Sequence, residues 1–99
     1  MNRDIFQAIA DPTRREILSL IASKKMTPNS IADKFPSSRQ AISKHIKILA
    51  ECNLLSMEKV GREIYYDFNP EKIKELDKWI DKFRKLWTDK FDQLEKLLK

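Results

Sequence analysis

Residues that carry chemistry are scarce in this sequence: it has one histidine (His45), one cysteine (Cys52) and one glycine (Gly61). A serine–histidine–aspartate hydrolase, a glycine-rich phosphate loop and a cysteine–histidine zinc cage each need more than this. The expectation is therefore a protein that is not an enzyme and needs no cofactor. A lone cysteine permits no internal disulfide, which fits a reducing cytosol. No apolar run approaches the ~18–20 residues of a membrane span, and Met1-Asn2-Arg3-Asp4 is followed by no signal-type apolar core. A cytoplasmic location without a membrane partner is expected.

What is present suits one small domain. The 99 residues are 41% hydrophobic, enough for a core, although 35% are charged. The net charge of +5 is a mild basic excess that suggests a polyanionic partner without establishing one.

Start and stop signals divide the chain into short helices. Ile5, Phe6 and Ile9 make a brief amphipathic turn or two within about residues 3–10. Asp11-Pro12 then opens a helix over 12–23, with Ile17, Leu18, Leu20 and Ile21 on its buried face. Thr27-Pro28 opens another, over 28–35, in which Ile31, Ala32 and Phe35 are apolar and which Pro36 stops. Ser37, with Gln40 three residues on, reads as a capping box for a helix that runs to Cys52, where Asn53 ends it in the left-handed conformation. Residues 54–60 and 63–68 change to alternating, aromatic and branched character around Gly61 and Arg62, which predicts a two-stranded hairpin. Asn69-Pro70 opens a last helix that neither proline nor glycine interrupts. The expected fold is mainly α with a small β-hairpin, in the order of four helices, two strands and a long final helix.

The segment 28–52 has the layout of a helix-turn-helix, whose second helix enters the major groove of DNA. Ile42, Ile46 and Leu49 stand at i, i+4 and i+7 on one side of that second helix. Gln40, Ser43, Lys44 and Lys47 share the other. Between Ser37 and Ala50 lie three cations, Arg39, Lys44 and Lys47, and no acid, whereas a merely solvated helix of this charge-rich chain would mix both signs. Gln40 and Ser43 suit base edges, and Arg39 and Lys47 suit phosphates. Lys59, Gly61 and Arg62 at the hairpin tip would act as a wing, because a glycine-bearing turn lets the backbone lie close to phosphate. The competing reading is a basic surface helix on a protein-interaction module that has no DNA partner.

Three stretches carry a family resemblance: Ile9-Ala10-Asp11-Pro12-Thr13-Arg14-Arg15-Glu16-Ile17-Leu18, Ser38-Arg39-Gln40-Ala41-Ile42-Ser43-Lys44-His45-Ile46-Lys47-Ile48-Leu49, and Gly61-Arg62-Glu63-Ile64-Tyr65-Tyr66. In order and spacing the chain resembles the ArsR/SmtB family of repressors over essentially its whole length. The resemblance implies a winged helix-turn-helix and a cytoplasmic homodimer that pairs through its first and last helices. It also implies binding to an imperfect palindrome in double-stranded DNA and, commonly, repression of the protein's own operon. By position, Ser38, Gln40, Ser43 and Lys44 match the groove-reading side of the family's recognition helix, and Lys59, Gly61 and Arg62 match its wing. Asn53 stands where the family usually has glycine.

The metal-sensing members carry paired cysteines in or near the helix at 28–35, or Asp and His ligands along the last helix. Here residues 28–35 hold no cysteine and residues 70–99 no histidine, so no metal is expected. His45 has two readings, a structural imidazole on the flank of the buried side or a donor to DNA. Cys52 reads as a small buried residue at a helix end.

The final helix, over about 70–98, is too long for its own domain. It would span about 43 Å, whereas a body of about 70 residues is only ~25–30 Å across. A seam at Ile73, Leu76, Ile80, Phe83, Trp87, Lys90, Leu94 and Leu97 is apolar at all but Lys90, and Trp79, Leu86, Phe91 and Leu98 widen it. Trp79, Phe83, Trp87, Phe91 and Leu94 would lie exposed in a monomer, which marks a partner surface. A second copy, with Ile5, Phe6 and Ile9 beside it, is the expected occupant, and a pocket for an aromatic or lipid-like effector is the alternative. A small-molecule or protein effector leaves no motif in the chain.

Overall fold

The computed structural model describes residues 4–98, so the expected start of the first helix at residue 3 lies outside the described residues. The elements run α1 (Ile5–Ile9), α2 (Pro12–Ser23), α3 (Pro28–Ala32), α4 (Arg39–Glu51), β1 (Leu55–Val60), β2 (Glu63–Phe68) and α5 (Pro70–Leu98). This is a mainly helical domain with a small antiparallel hairpin, a winged helix-turn-helix.

Polar caps set the starts. The side chains of Asp4, Asp11, Thr27 and Ser38 accept from backbone N–H groups of Phe6, Arg14, Ser30 and Ala41, and Asn69 Oδ1 accepts from Glu71 N at 3.2 Å. Each such bond satisfies one of the donors that a helix start leaves unpaired. The cap of α4 corrects an expectation. Ser38 takes the role assigned to Ser37, because its extended backbone (ψ 155°) brings Oγ to 3.1 Å from Ala41 N. The end of α3 is a second correction, since the helix stops at Ala32 and not at 35. Lys34 N bonds Ile31 O and Phe35 N bonds Ala32 O, so three-residue closures turn the chain while Phe35 still packs on the core.

Only five residues long, α1 would be marginal alone. Its carbonyls are taken by two arginines of α2. Arg14 donates to Gln7 O and Ala8 O at 3.1 and 2.7 Å, and Arg15 Nη1 donates to Ile9 O and Ala10 O at 2.8 and 2.9 Å. At the far end of α4, Asn53 is left-handed (φ 60°), with Asn53 N bonded to Ala50 O and Leu54 N to Leu49 O. Those are the paired bonds of a Schellman stop, and buried Leu54 supplies its apolar contact.

In the hairpin, Leu55 pairs with Phe68 and Val60 with Glu63, which leaves Gly61-Arg62 as a two-residue turn. Gly61 has φ +64° and supplies the positive φ that a type II′ turn needs at its first central position. The sheet has the expected two strands, and Met26 adds an isolated bridge on the other edge of β2, exchanging two hydrogen bonds with Tyr66 at 3.0 and 2.7 Å.

The core lies where α2, α3 and α4 meet the root of the hairpin: Ile17, Ile21, Ile31, Ile42, Leu49 and Leu54 are sealed from solvent, with Ala8, Ala32, Ile46, Cys52 and Leu55 around them. Burial of each large side chain contributes about 1.5–3 kcal/mol. Along α5 no residue is buried, and the helix draws the molecule out to 61 Å against 28 and 27 Å in the other directions.

Candidate nucleic-acid interface

The periodicity of α4 sorts its side chains by environment. Ile42, Ile46 and Leu49 face the core, while Gln40, Ser43, Lys44 and Lys47 are exposed together on the opposite side. Ser38 is exposed too, but its hydroxyl oxygen is engaged in capping. A groove lined by Pro28, Ser43, Ile46, Lys47, Ala50 and Tyr66 separates this helix from the sheet. A second groove, formed by Thr27, Pro28, Asn29, Arg62, Glu63 and Ile64, leads on to the wing. Pro28 borders both, so the exposed side of α4 and the tip at Arg62 belong to one continuous surface. The position of Thr27, Pro28 and Asn29 in it was not foreseen, and their place just after the turn following α2 was the available signal.

At the wing, Lys59, Gly61 and Arg62 are exposed. Lys59 lies opposite Ile64, on the sheet face it shares with Tyr66. The other face carries Glu58, Glu63 and Asp67 in register with their partners, and all three carboxylates are engaged, that of Asp67 by the backbone N–H of Phe68 at 2.7 Å. Glu58 pairs with Lys25 at 2.8 Å and holds that ammonium above its ordinary pKa, and Glu63 accepts from the Tyr65 hydroxyl at 3.1 Å, which raises the phenol's.

Two assigned residues have unexpected surroundings. Arg39, expected to hold phosphate, is exposed and donates to Asn29 Oδ1 at 2.7 Å and Asp33 Oδ1 at 2.9 Å in α3 and at its end. A guanidinium so placed at the first turn of α4 braces the two helices against each other. His45, for which a DNA contact is one of the two expected roles, is half-buried and points its Nδ1 at Arg14 Nη1, 3.2 Å away, with Asp11 Oδ2 at 3.8 Å. The structural reading of His45 therefore describes this conformation, with Arg14 as the partner in place of a backbone carbonyl. An arginine can only donate, so a hydrogen bond between the two requires a ring whose Nδ1 carries no proton.

Among the described residues no three His, Cys, Asp or Glu side chains gather around a common point. Cys52 is buried with Sγ 3.8 Å from Asp4 O, and His45 is engaged as above. No helix among the described residues is long and apolar enough to cross a membrane.

Residues 9–58, which span α2, the helix pair and the start of the hairpin, match the family model of the helix-turn-helix domain. The transcriptional repressor SdpR of Bacillus subtilis is 38% identical over 81% of this chain and 89% of its own length. The arsenical resistance operon repressor of the same species is 33% identical over 72% of this chain and 69% of its own. Among solved structures, an ArsR-like transcriptional regulator from Rhodococcus superposes with a TM-score of 0.72 at 31% identity, covering 94% of this chain and 88% of that one. This chain belongs to the ArsR family. It is a DNA-binding transcriptional regulator with a winged helix-turn-helix fold.

Proposed function

We propose that the protein is a homodimeric repressor that reads an imperfect palindrome through two copies of α4. The observation that carries this reading is the exposed side of α4, where Gln40, Ser43, Lys44 and Lys47 lie together with no carboxylate among them. Gln40 can bond adenine bidentately and Ser43 can approach either base edge, whereas Lys44 and Lys47 attract the backbone and the guanine edge. Lys59 and Arg62 on the wing add charge that does not depend on sequence. Arg39 acts mainly by holding α3 against α4, which keeps the reading helix at a fixed tilt.

Dimerisation follows from α5. Trp87 and Phe91 are 62% and 60% exposed and Leu94 50%, in one stripe with Trp79 and Phe83. A second copy covering this stripe places two recognition helices on one face of the duplex, with half-sites about 10 base pairs or a multiple apart. Two copies also bring twice the +5 charge to one site. Repression then results from occupancy of a promoter-proximal palindrome.

Selection from a random duplex library by the purified chain, followed by footprinting on the enriched sequence, tests the proposal. The expected product is a two-fold symmetric site protected on one face of the DNA. Enrichment of no sequence, or of a single unrepeated half-site, would overturn it.

A further inference from the structure

One guanidinium ties three helices together behind the reading surface. Arg14 donates through Nε to Ala8 O at 2.7 Å and through Nη2 to Gln7 O at 3.1 Å, both in α1, and through Nη1 to Nδ1 of His45 in α4 at 3.2 Å. Its own backbone N–H is held by Asp11 Oδ2 at 3.0 Å, and that carboxylate lies 3.8 Å from the same imidazole nitrogen. In turn α1 rests on α5, with the rings of Phe6 and Trp79 4.5 Å apart.

The packing of Ile42, Ile46 and Leu49 fixes which side of α4 faces the core and leaves fine rotation to directional contacts at its margin. A hydrogen bond from a planar fork is directional, and it meets α4 at the margin of that surface. We infer that Arg14 and His45 are positioning residues: together they set the rotation of the recognition helix relative to the α1–α5 base, without touching DNA. This rests on α4 being the helix that reads bases, and it adds a route by which the geometry of the base bears on sequence discrimination. In a dimer built on α1 and α5, the same bond would keep both reading faces in phase with their half-sites.

Paired amide substitutions separate this role from direct contact. His45→Asn places Oδ1 near the site of Nδ1 and keeps the acceptor for Arg14 but loses the Nε2 group. His45→Gln places its amide near Nε2 and loses that acceptor. The probe is the duplex enriched from a random library by the unmodified full chain, with an unrelated duplex of equal length as reference, at a temperature where circular dichroism reports every variant folded. Expected are a roughly 10-fold loss of affinity for the enriched duplex in His45→Gln and in Arg14→Lys, no change on the reference duplex, and an unchanged salt slope, as suits one lost charge-assisted bond and no lost phosphate contact. The double variant should be no worse than either single one, and His45→Asn should stay within about 3-fold of the unmodified chain, on the same basis of a retained acceptor.

Three results would overturn the inference. A salt slope shallower by about 0.9 per subunit in His45→Asn would make His45 a phosphate contact. A lowered thermal midpoint with an unchanged affinity ratio between the two duplexes would reduce the pair to a stability role. Failure of the unmodified chain to enrich any sequence would remove the reading role of α4, and this inference with it.

Discussion

The ring of Phe6 in α1 lies 4.5 Å from the indole of Trp79 in α5, and that indole lies 4.4 Å from the ring of Phe83. These tilted rings make a short aromatic ladder that joins the first helix to the last. Beyond it the support ends: Trp87 and Phe91 stack on each other at 5.8 Å with most of their surface in water. The inner part of the stripe has a neighbour within the chain, and the outer part has solvent.

Trp87→Glu should therefore spare the fold and abolish the dimer. The side chain packs against nothing in the core, so the thermal midpoint of the monomer should move little, within the ±0.5 kcal/mol usual for surface changes. A buried aromatic at the centre of an interface contributes 2 kcal/mol or more, so dimer dissociation should rise at least about 30-fold. Sedimentation at micromolar concentration checks both parts. An unmodified chain that sediments as a monomer, or a variant that stays dimeric, would contradict the assignment of α5.

Gln40 and Arg62 should respond differently when truncated. Gln40→Ala should cost roughly 1–3 kcal/mol on the specific site and relax its sequence preference, leaving binding to other duplexes nearly unchanged. Arg62→Ala should weaken all duplexes alike and flatten the salt dependence by about 0.9 per subunit. Titrations of both variants on matched and mismatched duplexes at several salt concentrations separate the two patterns. If neither variant changes specific binding at moderate salt, the reading face lies elsewhere.

Ile42 is fully buried beneath the reading surface. Ile42→Ala should remove about 2–5 kcal/mol of stability, as large-to-small changes in tight cores do, and should reduce DNA affinity only through the unfolded fraction. Denaturant titration gives the first quantity. Binding assayed well below the variant's transition gives the second, and a large loss of affinity in the fully folded variant would show that packing at Ile42 also tunes the reading face.

Helix starts and the hairpin were legible because they depend on neighbours in the chain. A carboxylate or hydroxyl ahead of proline marks α2 and α3, Asn69-Pro70 marks α5, and Gly61 marks the turn. The continuation of α5 beyond that start and the buried side of α4 follow from period alone. Where tertiary neighbours decide, the sequence was silent. Ser37 with Gln40 fits the capping-box pattern, yet the cap is the next serine, Ser38, whose extended backbone brings its hydroxyl to Ala41 N. Phe35 stands four residues after Ile31 and reads as continuing helix, although the chain has already turned. The Met26 bridge is one residue long and has no period to detect. The targets of Arg39 and His45 depend on α3 and α2, which lie beside them only after folding.

Asp11 gives a pH-dependent prediction. The hydrogen bond from Arg14 N holds its carboxyl below the ordinary value of 3.8, burial acts against this, and the nearby His45 and Arg14 add to the lowering. A carboxylate with a depressed pKa in the fold contributes stability that is fully present above its unfolded pKa and is lost as pH falls through the folded one. The unmodified chain should therefore lose this contribution only below about pH 4. Asp11→Asn keeps a competent cap and removes the titrating group, so it should stay near the unmodified stability at pH 7 while showing a shallower decline between about pH 4 and 2. Asp11→Ala should lose about 1 kcal/mol at pH 7 and show the same shallow acid limb. Urea midpoints measured across that range decide the matter: acid limbs of equal steepness in all three proteins would mean that the Asp11 carboxyl titrates alike in folded and unfolded chains.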